Sequence, residues 1–122
     1  MYKFEKLEVY QMALTYTDMI YALAEKLPRI EESNLKSQII RAATSIVLNI
    51  AEGSTSQSDT EQRRFLGMAV RSLIETVACQ QLIRKRKYAA AEELENCYKF
   101  SQLLFTKLQA MRRSLLKDRI DK

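Results

Sequence analysis

Apolar residues recur at three- and four-residue spacing along most of the chain, which is the period of an amphipathic α-helix. The pattern predicts four helices, over residues 6–27, 34–53, 59–86 and 89–117. Long helices joined by short connections favour an all-α fold, an antiparallel up-down-up-down four-helix bundle. With only two glycines and one proline, the chain has few places to turn, and residues 1–122 are expected to form a single domain.

The stretch 37–53 is the least polar long segment of the chain. Its apolar residues form one helical face and also spread onto both flanks, so the second helix is expected to be the most buried of the four. Gly53 stands where a left-handed C′ residue would end that helix. The central helix is therefore the element around which the other three are expected to pack.

Polar punctuation marks the boundaries between the helices. Pro28 cannot continue the first helix, and Ser33 or Asn34 is suited to be the N-cap of the second. Ser58 and Glu61 form the S-x-x-E pattern of a capping box, which predicts that the third helix begins directly after Ser58.

A second, polar stripe runs along the central helix and requires partners, because an unpaired buried polar group costs about 1–3 kcal/mol. Matching levels across the turn near residue 56 places Gly67 opposite Ser45 and allows an Arg41–Glu75 ion pair. We interpret the stripe as interhelical pairing, with a functional site as the alternative. Its members are Gln38, Arg41, Ser45, Asn49 and Glu52, with Glu75 of the third helix as a partner.

Charge is unevenly distributed along the chain. The net charge is +5, and residues 59–122 carry fourteen Lys and Arg against eight Asp and Glu, an excess of +6. The N-terminal half, residues 1–58, has a net charge of −1 (six Lys and Arg against seven Asp and Glu). A basic half of this kind is typical of a surface that meets an anionic partner.

Several chemistries lack the residues they need. There is no histidine, which removes the usual general base and the commonest metal ligand. Cys79 and Cys97 are interpreted as packed, reduced thiols, because two cysteines alone cannot complete a zinc site. Glycine is too scarce for a phosphate-cradling loop. We expect a non-catalytic protein without metal or cofactor, and the absence of a signal sequence or apolar span favours the cytoplasm over a membrane.

Two groups of cations are candidate contacts for phosphate groups. Tyr88, beside the first group, offers a ring on which a base could stack. The alternative is a solvated run of charges that complements the helix dipole. The first group is Arg84, Lys85, Arg86 and Lys87, and the second is Arg112, Arg113 and Lys117, with Arg119 beyond it.

Motifs over nearly the whole chain resemble those of one protein family. They are Phe4, Leu7, Val9, Leu27-Pro28, Glu32, Leu35, Gln38, Arg41-Ala42-Ala43, Ser45-Ile46, Asn49-Ile50-Ala51-Glu52-Gly53, Ser58, Glu61, Phe65-Leu66, Ala69, Ser72-Leu73 and Glu75. With them the chain resembles the four-helix-bundle proteins encoded within intervening sequences of bacterial 23S ribosomal RNA genes. It departs from the family pattern at Val47, where proline is usual, and at Arg71, where many members have glycine.

The resemblance implies a cytosolic antiparallel bundle that assembles into a ring, typically a homopentamer. A structurally similar group, the accessory proteins of diversity-generating retroelements, works with a reverse transcriptase and nucleic acid. The resemblance implies no catalytic residues, and nucleic-acid binding through basic surfaces is what it suggests.

Two functions therefore stay open. The first is an oligomer that binds nucleic acid, RNA more than DNA, by placing Lys and Arg against phosphates. The second is an oligomeric scaffold that presents surfaces to a protein partner, with the basic excess serving solubility. Nucleic acid that copurifies with the protein and is released by salt would distinguish them.

Overall fold

The computed structural model describes residues 1–55 and 58–121, with side chains as far as residue 116. Over these residues the chain forms four α-helices and two short 3₁₀ turns, with no β-strand. No helix within these bounds is long and apolar enough to cross a membrane. The prediction of four helices is confirmed. They are α1 (Glu8–Ala24), α2 (Leu35–Gly53), α3 (Asp59–Arg86) and α4 (Ala91–Asp121), and the 3₁₀ turns are Lys3–Lys6 and Arg29–Glu31.

A cluster of buried apolar side chains lies between the four helices. Eight of the 19 residues of α2 are buried, against six of 17 in α1 and nine of 28 in α3. Ile39, Ile46 and Ile50 of α2 have no exposed surface. Burying each such side chain contributes about 1.5–3 kcal/mol. Among these three helices α2 is the most buried, as its apolar pattern predicts.

A polar network crosses the core between α1 and α3. The Gln80 side-chain amide donates to the Tyr16 hydroxyl at 2.7 Å, and that hydroxyl lies 2.8 Å from the Thr76 hydroxyl. Thr76 donates its own hydrogen to the Leu73 carbonyl at 2.6 Å, so Tyr16 must donate to Thr76. The Gln80 side-chain oxygen has no partner within the described residues. Burial raises the pKa of Tyr16, which keeps the hydroxyl protonated.

Helix α3 begins at the predicted residue. The Glu61 N–H donates to the Ser58 hydroxyl at 3.1 Å, so Ser58 is the N-cap. In a full capping box the Glu61 carboxylate would also accept from the Ser58 backbone N–H. Here that carboxylate pairs with the guanidinium of Arg64 instead. One cap bond and one i,i+3 ion pair therefore fix this first turn.

Lys87 ends α3 in the left-handed conformation, with φ 60° and ψ 37°. The Tyr88 N–H donates to the Ile83 carbonyl at 3.1 Å and the Lys87 N–H to the Arg84 carbonyl at 3.0 Å, which is a Schellman motif. A residue with a side chain costs about 1–2 kcal/mol in this conformation, where glycine would be free of strain.

Gly53 does not have the predicted left-handed conformation. It is the last residue of α2, and no described glycine has a positive φ. Its role is steric: a Cβ on Gly53 would lie 2.8 Å from the Phe65 Cβ and 3.4 Å from the Gln62 carbonyl oxygen. Glycine is required because α2 and α3 approach each other closely at this level.

The predicted level of Gly67 is also wrong. The Ser45 hydroxyl accepts a hydrogen bond from Ser72 at 2.9 Å, five residues beyond Gly67. The first residues of α3 also belong to the reversal between the two helices, because α3 reaches the level of Gly53 only at Phe65. The matching levels are therefore shifted towards the C-terminal end of α3. Gly67 instead faces α4, where the guanidinium of Arg112 lies 3.3 Å from the position a Cβ would take.

Candidate nucleic-acid interface

The first predicted cluster, Arg84 to Lys87, lies at the C-terminal end of α3. All four side chains are exposed, and none forms an ion pair with the part of the chain that the structure describes. Their charges complement the negative end of the helix dipole. The left-handed turn at Lys87 then reverses the chain, so the four cations are held together at one end of the helix pair.

Tyr88 is tied to the bundle. Its ring packs against the core, and its hydroxyl donates to the Glu31 carboxylate at 3.0 Å. This bond lowers the pKa of Glu31 and raises the pKa of Tyr88, while the nearby charge of Arg86 lowers both. The predicted base-stacking role of Tyr88 therefore finds no support in its packing.

Carboxylates share this end of the molecule with the cations. Glu92 and Glu93 occupy the first turn of α4, where their negative charges interact favourably with the positive end of the helix dipole. Glu93 forms an ion pair at 2.6 Å with Lys26, which lies just beyond the end of α1. The negative charges of these carboxylates thus partly offset the positive potential of the four cations. An anion would therefore be bound through direct contacts with the cations and attracted only weakly from a distance.

The second predicted cluster divides between two environments. Arg112 is half-buried against Gly67 and donates to the Gln109 side-chain oxygen at 2.8 Å. Arg113 is exposed. Lys117, and Arg119 beyond it, lie outside the residues whose side chains are described.

Sequence reasoning missed the arginines that join Arg112. Arg63, Arg64 and Arg71 of α3 line, with Arg112 and Gly67, a cleft of about 790 Å³. The signal was present in the four-residue spacing of Arg63, Gly67 and Arg71, which places them on one helical stripe. Arg112 is 41 or more residues away along the chain, and only the packing of α4 on α3 brings it to them.

The polar stripe of α2 is partly paired. Asn49 donates to the Ser45 carbonyl at 2.9 Å and to the Ser45 hydroxyl at 3.0 Å, and Ser72 of α3 bonds the same hydroxyl. Gln38 donates to the side-chain oxygen of Asn34 at 2.9 Å, and Asn34 lies directly before the first turn of α2. Within the stripe, Ser45 therefore pairs across helices, Asn49 bonds within α2, and Gln38 bonds the N-cap residue Asn34.

The charged members of the stripe are exposed. Arg41, Glu52 and Glu75 form no ion pair with the described residues, so the predicted Arg41–Glu75 pair is absent. Arg41 and Glu52 line an open cleft of about 380 Å³ together with Thr44, Ser45, Leu48 and Asn49.

A comparison with known families decides where the chain belongs. The sequence profile of the 23S rRNA-intervening sequence proteins matches residues 5–110. The chain belongs to this family. The match includes the cluster from Arg84 to Lys87 but ends before all of the second cluster, which begins at Arg112.

A solved structure of a related protein shares the architecture. It is the crystal structure of a protein with unknown function from the S23 ribosomal protein family of Bacteroides thetaiotaomicron VPI-5482. The two chains are 26% identical with a TM-score of 0.79, over 85% of this chain and 97% of the other. No curated protein matches the chain. Membership of the 23S rRNA-intervening sequence family thus rests on the sequence profile, and the solved structure shows that the fold is shared.

The two thiols of this family member are buried and free. Burial raises the pKa of both, that of Cys97 to about 11, which leaves them as unreactive thiols at neutral pH. Within the described residues, no group of three or more Cys, Asp or Glu side chains could hold a metal ion.

Proposed function

We propose that the protein binds nucleic acid, RNA in preference to DNA, by placing exposed Lys and Arg side chains against backbone phosphates. The observation that carries this proposal is the run Arg84 to Lys87, four consecutive exposed cations without an ion pair among the described residues. Membership of a family named for 23S rRNA intervening sequences supports the choice of RNA. Contacts of this kind fix position on a strand without reading its bases.

The arrangement of the helices supports an antiparallel up-down-up-down bundle. Gly53 at the end of α2 contacts Phe65 near the start of α3, whereas Ser45 bonds Ser72 farther along. Lys26, just beyond the end of α1, pairs with Glu93 early in α4, and Glu8 at the start of α1 pairs with Lys107 late in α4. In both helix pairs the late residues of one helix contact the early residues of the other.

These contacts link the first helix to the last and the second helix to the third. For this reason we take residues 1–122 to be one domain.

A second candidate function is an oligomeric scaffold. An apolar groove of about 290 Å³ runs between α3 and α4, and Ile74 on its wall is 51% exposed. Closed cyclic symmetry would cover such a surface in every copy, and the family resemblance points to a homopentamer. The remaining groove residues are Leu73, Val77, Tyr98, Ser101, Gln102, Phe105 and Thr106.

Self-association through this groove is tested by light scattering at micromolar concentration. We expect the unmodified protein to have about five times the chain mass of 14.2 kDa. Ile74→Arg should shift the mass towards one chain, because a buried, unpaired charge opposes association. Leu82→Arg, on the same helix and 55% exposed but outside the groove, is the control and should leave the mass unchanged. A single-chain mass for the unmodified protein would contradict self-association.

Nucleic-acid binding is tested by charge reversal at the α3 end. Arg84→Glu with Arg86→Glu should weaken binding to many sequences alike, because phosphate contacts carry no sequence information. Removing each cation from its phosphate should also reduce the slope of log affinity against log salt by roughly 0.7–0.9. The measurement is fluorescence anisotropy of labelled single-stranded RNA across a salt series, with circular dichroism to confirm an unchanged helix content.

The matched control is Lys3→Glu with Lys6→Glu, two exposed cations in the half without a basic excess. Equal weakening by both pairs would mean a diffuse effect of net charge and no site at Arg84 to Lys87. No binding by the unmodified protein at low salt would favour the scaffold.

A further inference from the structure

We infer that the cleft formed by Arg63, Arg64, Arg71 and Arg112 around Gly67 binds a ligand that carries two or more adjacent phosphate groups. The site lies between α3 and α4 and is separate in sequence from the cluster at Arg84 to Lys87. Where the phosphates belong to a nucleic-acid strand, the inference rests on the proposed function. A free polyphosphate chain would use the same chemistry independently of it.

Gly67 leaves room for Arg112 at the cleft, because it has no side chain. The Arg112 guanidinium of α4 lies close to α3 at this point, with its terminal nitrogen 3.3 Å from where a Cβ would stand. Arg63 and Arg71 lie four residues to either side of Gly67 on the same stripe of α3. Three guanidinium groups from two helices are therefore presented to one open space.

The charges of the cleft are nearly uncompensated. Among the residues whose side chains are described, its lining contains four arginines and no carboxylate: Thr60, Arg63, Arg64, Gly67, Met68, Val70, Arg71 and Arg112. Arg64 pairs with Glu61 and stacks over the Phe65 ring at 4.9 Å. The other three arginines form no ion pair with the described residues. Like charges held together in a concave surface raise the local concentration of anions.

Two of these arginines are fixed by the protein. The Arg63 Nε–H donates to the Arg112 carbonyl at 3.3 Å, and Arg112 donates from Nη1 to the Gln109 side chain at 2.8 Å. The Arg112 Nε is buried and has no partner among the described residues, so packing rather than bonding holds this part of the side chain. Planar, pre-oriented guanidinium groups suit phosphate oxygens, which accept two parallel N–H bonds.

The size of the cleft determines the class of ligand. Its volume of about 790 Å³ falls in the range of small-molecule sites and exceeds what one oxyanion requires. Four cations from two helices, two of them fixed by hydrogen bonds, match a chain of phosphates better than a single charge. The ligand is therefore a polyphosphate chain or consecutive phosphates of a single strand.

The test compares Arg71→Glu with Lys99→Glu. Arg71 is exposed and has no hydrogen bond or ion pair with the described residues, so its reversal should leave the fold intact. Lys99 is an exposed cation of α4 that lies outside the cleft and outside both predicted clusters. Calorimetric titration with tripolyphosphate, at constant ionic strength, should show binding that Arg71→Glu weakens roughly tenfold or more. Lys99→Glu should stay within about twofold, as expected for an exposed charge outside the site. Arg63→Gln is the second cleft variant and should act in the same direction.

A parallel titration with a single-stranded RNA oligonucleotide distinguishes the two sources of phosphate. Loss of RNA binding in Arg71→Glu without any tripolyphosphate binding assigns the cleft to a strand. Equal effects of Arg71→Glu and Lys99→Glu on both ligands would overturn the inference, and so would an unmodified protein that binds neither. If RNA binding falls on reversal of Arg84 and Arg86, and Arg71→Glu changes the binding of neither RNA nor tripolyphosphate, the inference fails while the proposed function stands.

Discussion

Replacing Gly53 with alanine is expected to destabilise the protein by about 3 kcal/mol, the upper part of the range for an overpacked core. The new methyl group would lie 2.8 Å from the Phe65 Cβ, an atom that moves only with the α3 backbone. Relief would require α2 and α3 to separate at the level of this contact. The change in unfolding free energy should be measured by urea denaturation at fixed protein concentration, because association would add to apparent stability.

The matched control is the same substitution at the other glycine. Alanine at Gly67 would meet the Arg112 guanidinium at 3.3 Å, which is the end of a long side chain and can shift. Alanine also favours the helix over glycine by up to about 1 kcal/mol. We expect Gly67→Ala to change stability by less than about 1 kcal/mol in either direction. Similar destabilisation at both positions would mean that the close approach at Gly53 has no special cost.

The two glycines show which parts of the fold the sequence predicts. Helix positions follow from local information: apolar spacing gave α3 its bounds, and Ser58 caps it as expected. Which residues of α2 lie opposite which residues of α3 depends on tertiary packing. It is fixed by the close contact of Gly53 with Phe65. The prediction placed Gly67 opposite Ser45, because counting residues from the turn cannot show how far the connection extends.

The candidate site divides in the same way. Arg84 to Lys87 are consecutive, so their clustering is visible in the sequence and their exposure agrees with it. The arginine cleft depends on the packing of Arg112 against Gly67, which joins two helices that are distant in the chain. Arg71 stood out in the sequence only as a departure from the family's glycine. The structure places its side chain on the wall of a basic cleft.

Replacing Tyr16 with phenylalanine is expected to cost about 2–3 kcal/mol, although it removes a single hydroxyl group. The Gln80 amide donates to that hydroxyl at 2.7 Å, and its oxygen already has no partner within the described residues. Without the hydroxyl, the amide of a residue that is 3% exposed would have no hydrogen bond at all. Thr76 would keep its bond to the Leu73 carbonyl at 2.6 Å, so the main cost falls on Gln80.

A double-mutant cycle separates this cost from the loss of the hydroxyl itself. Gln80→Met has nearly the same shape and removes both polar atoms of the amide, so Tyr16→Phe with Gln80→Met should be more stable than Tyr16→Phe alone by about 1–2 kcal/mol. Removing both partners of a buried hydrogen bond leaves no donor or acceptor without a partner, whereas removing one does. Urea denaturation of the four proteins gives the coupling energy. If the two destabilisations simply add, that of Tyr16→Phe arises from the Thr76 side of the network or from packing, and the orphaned Gln80 amide is not its cause.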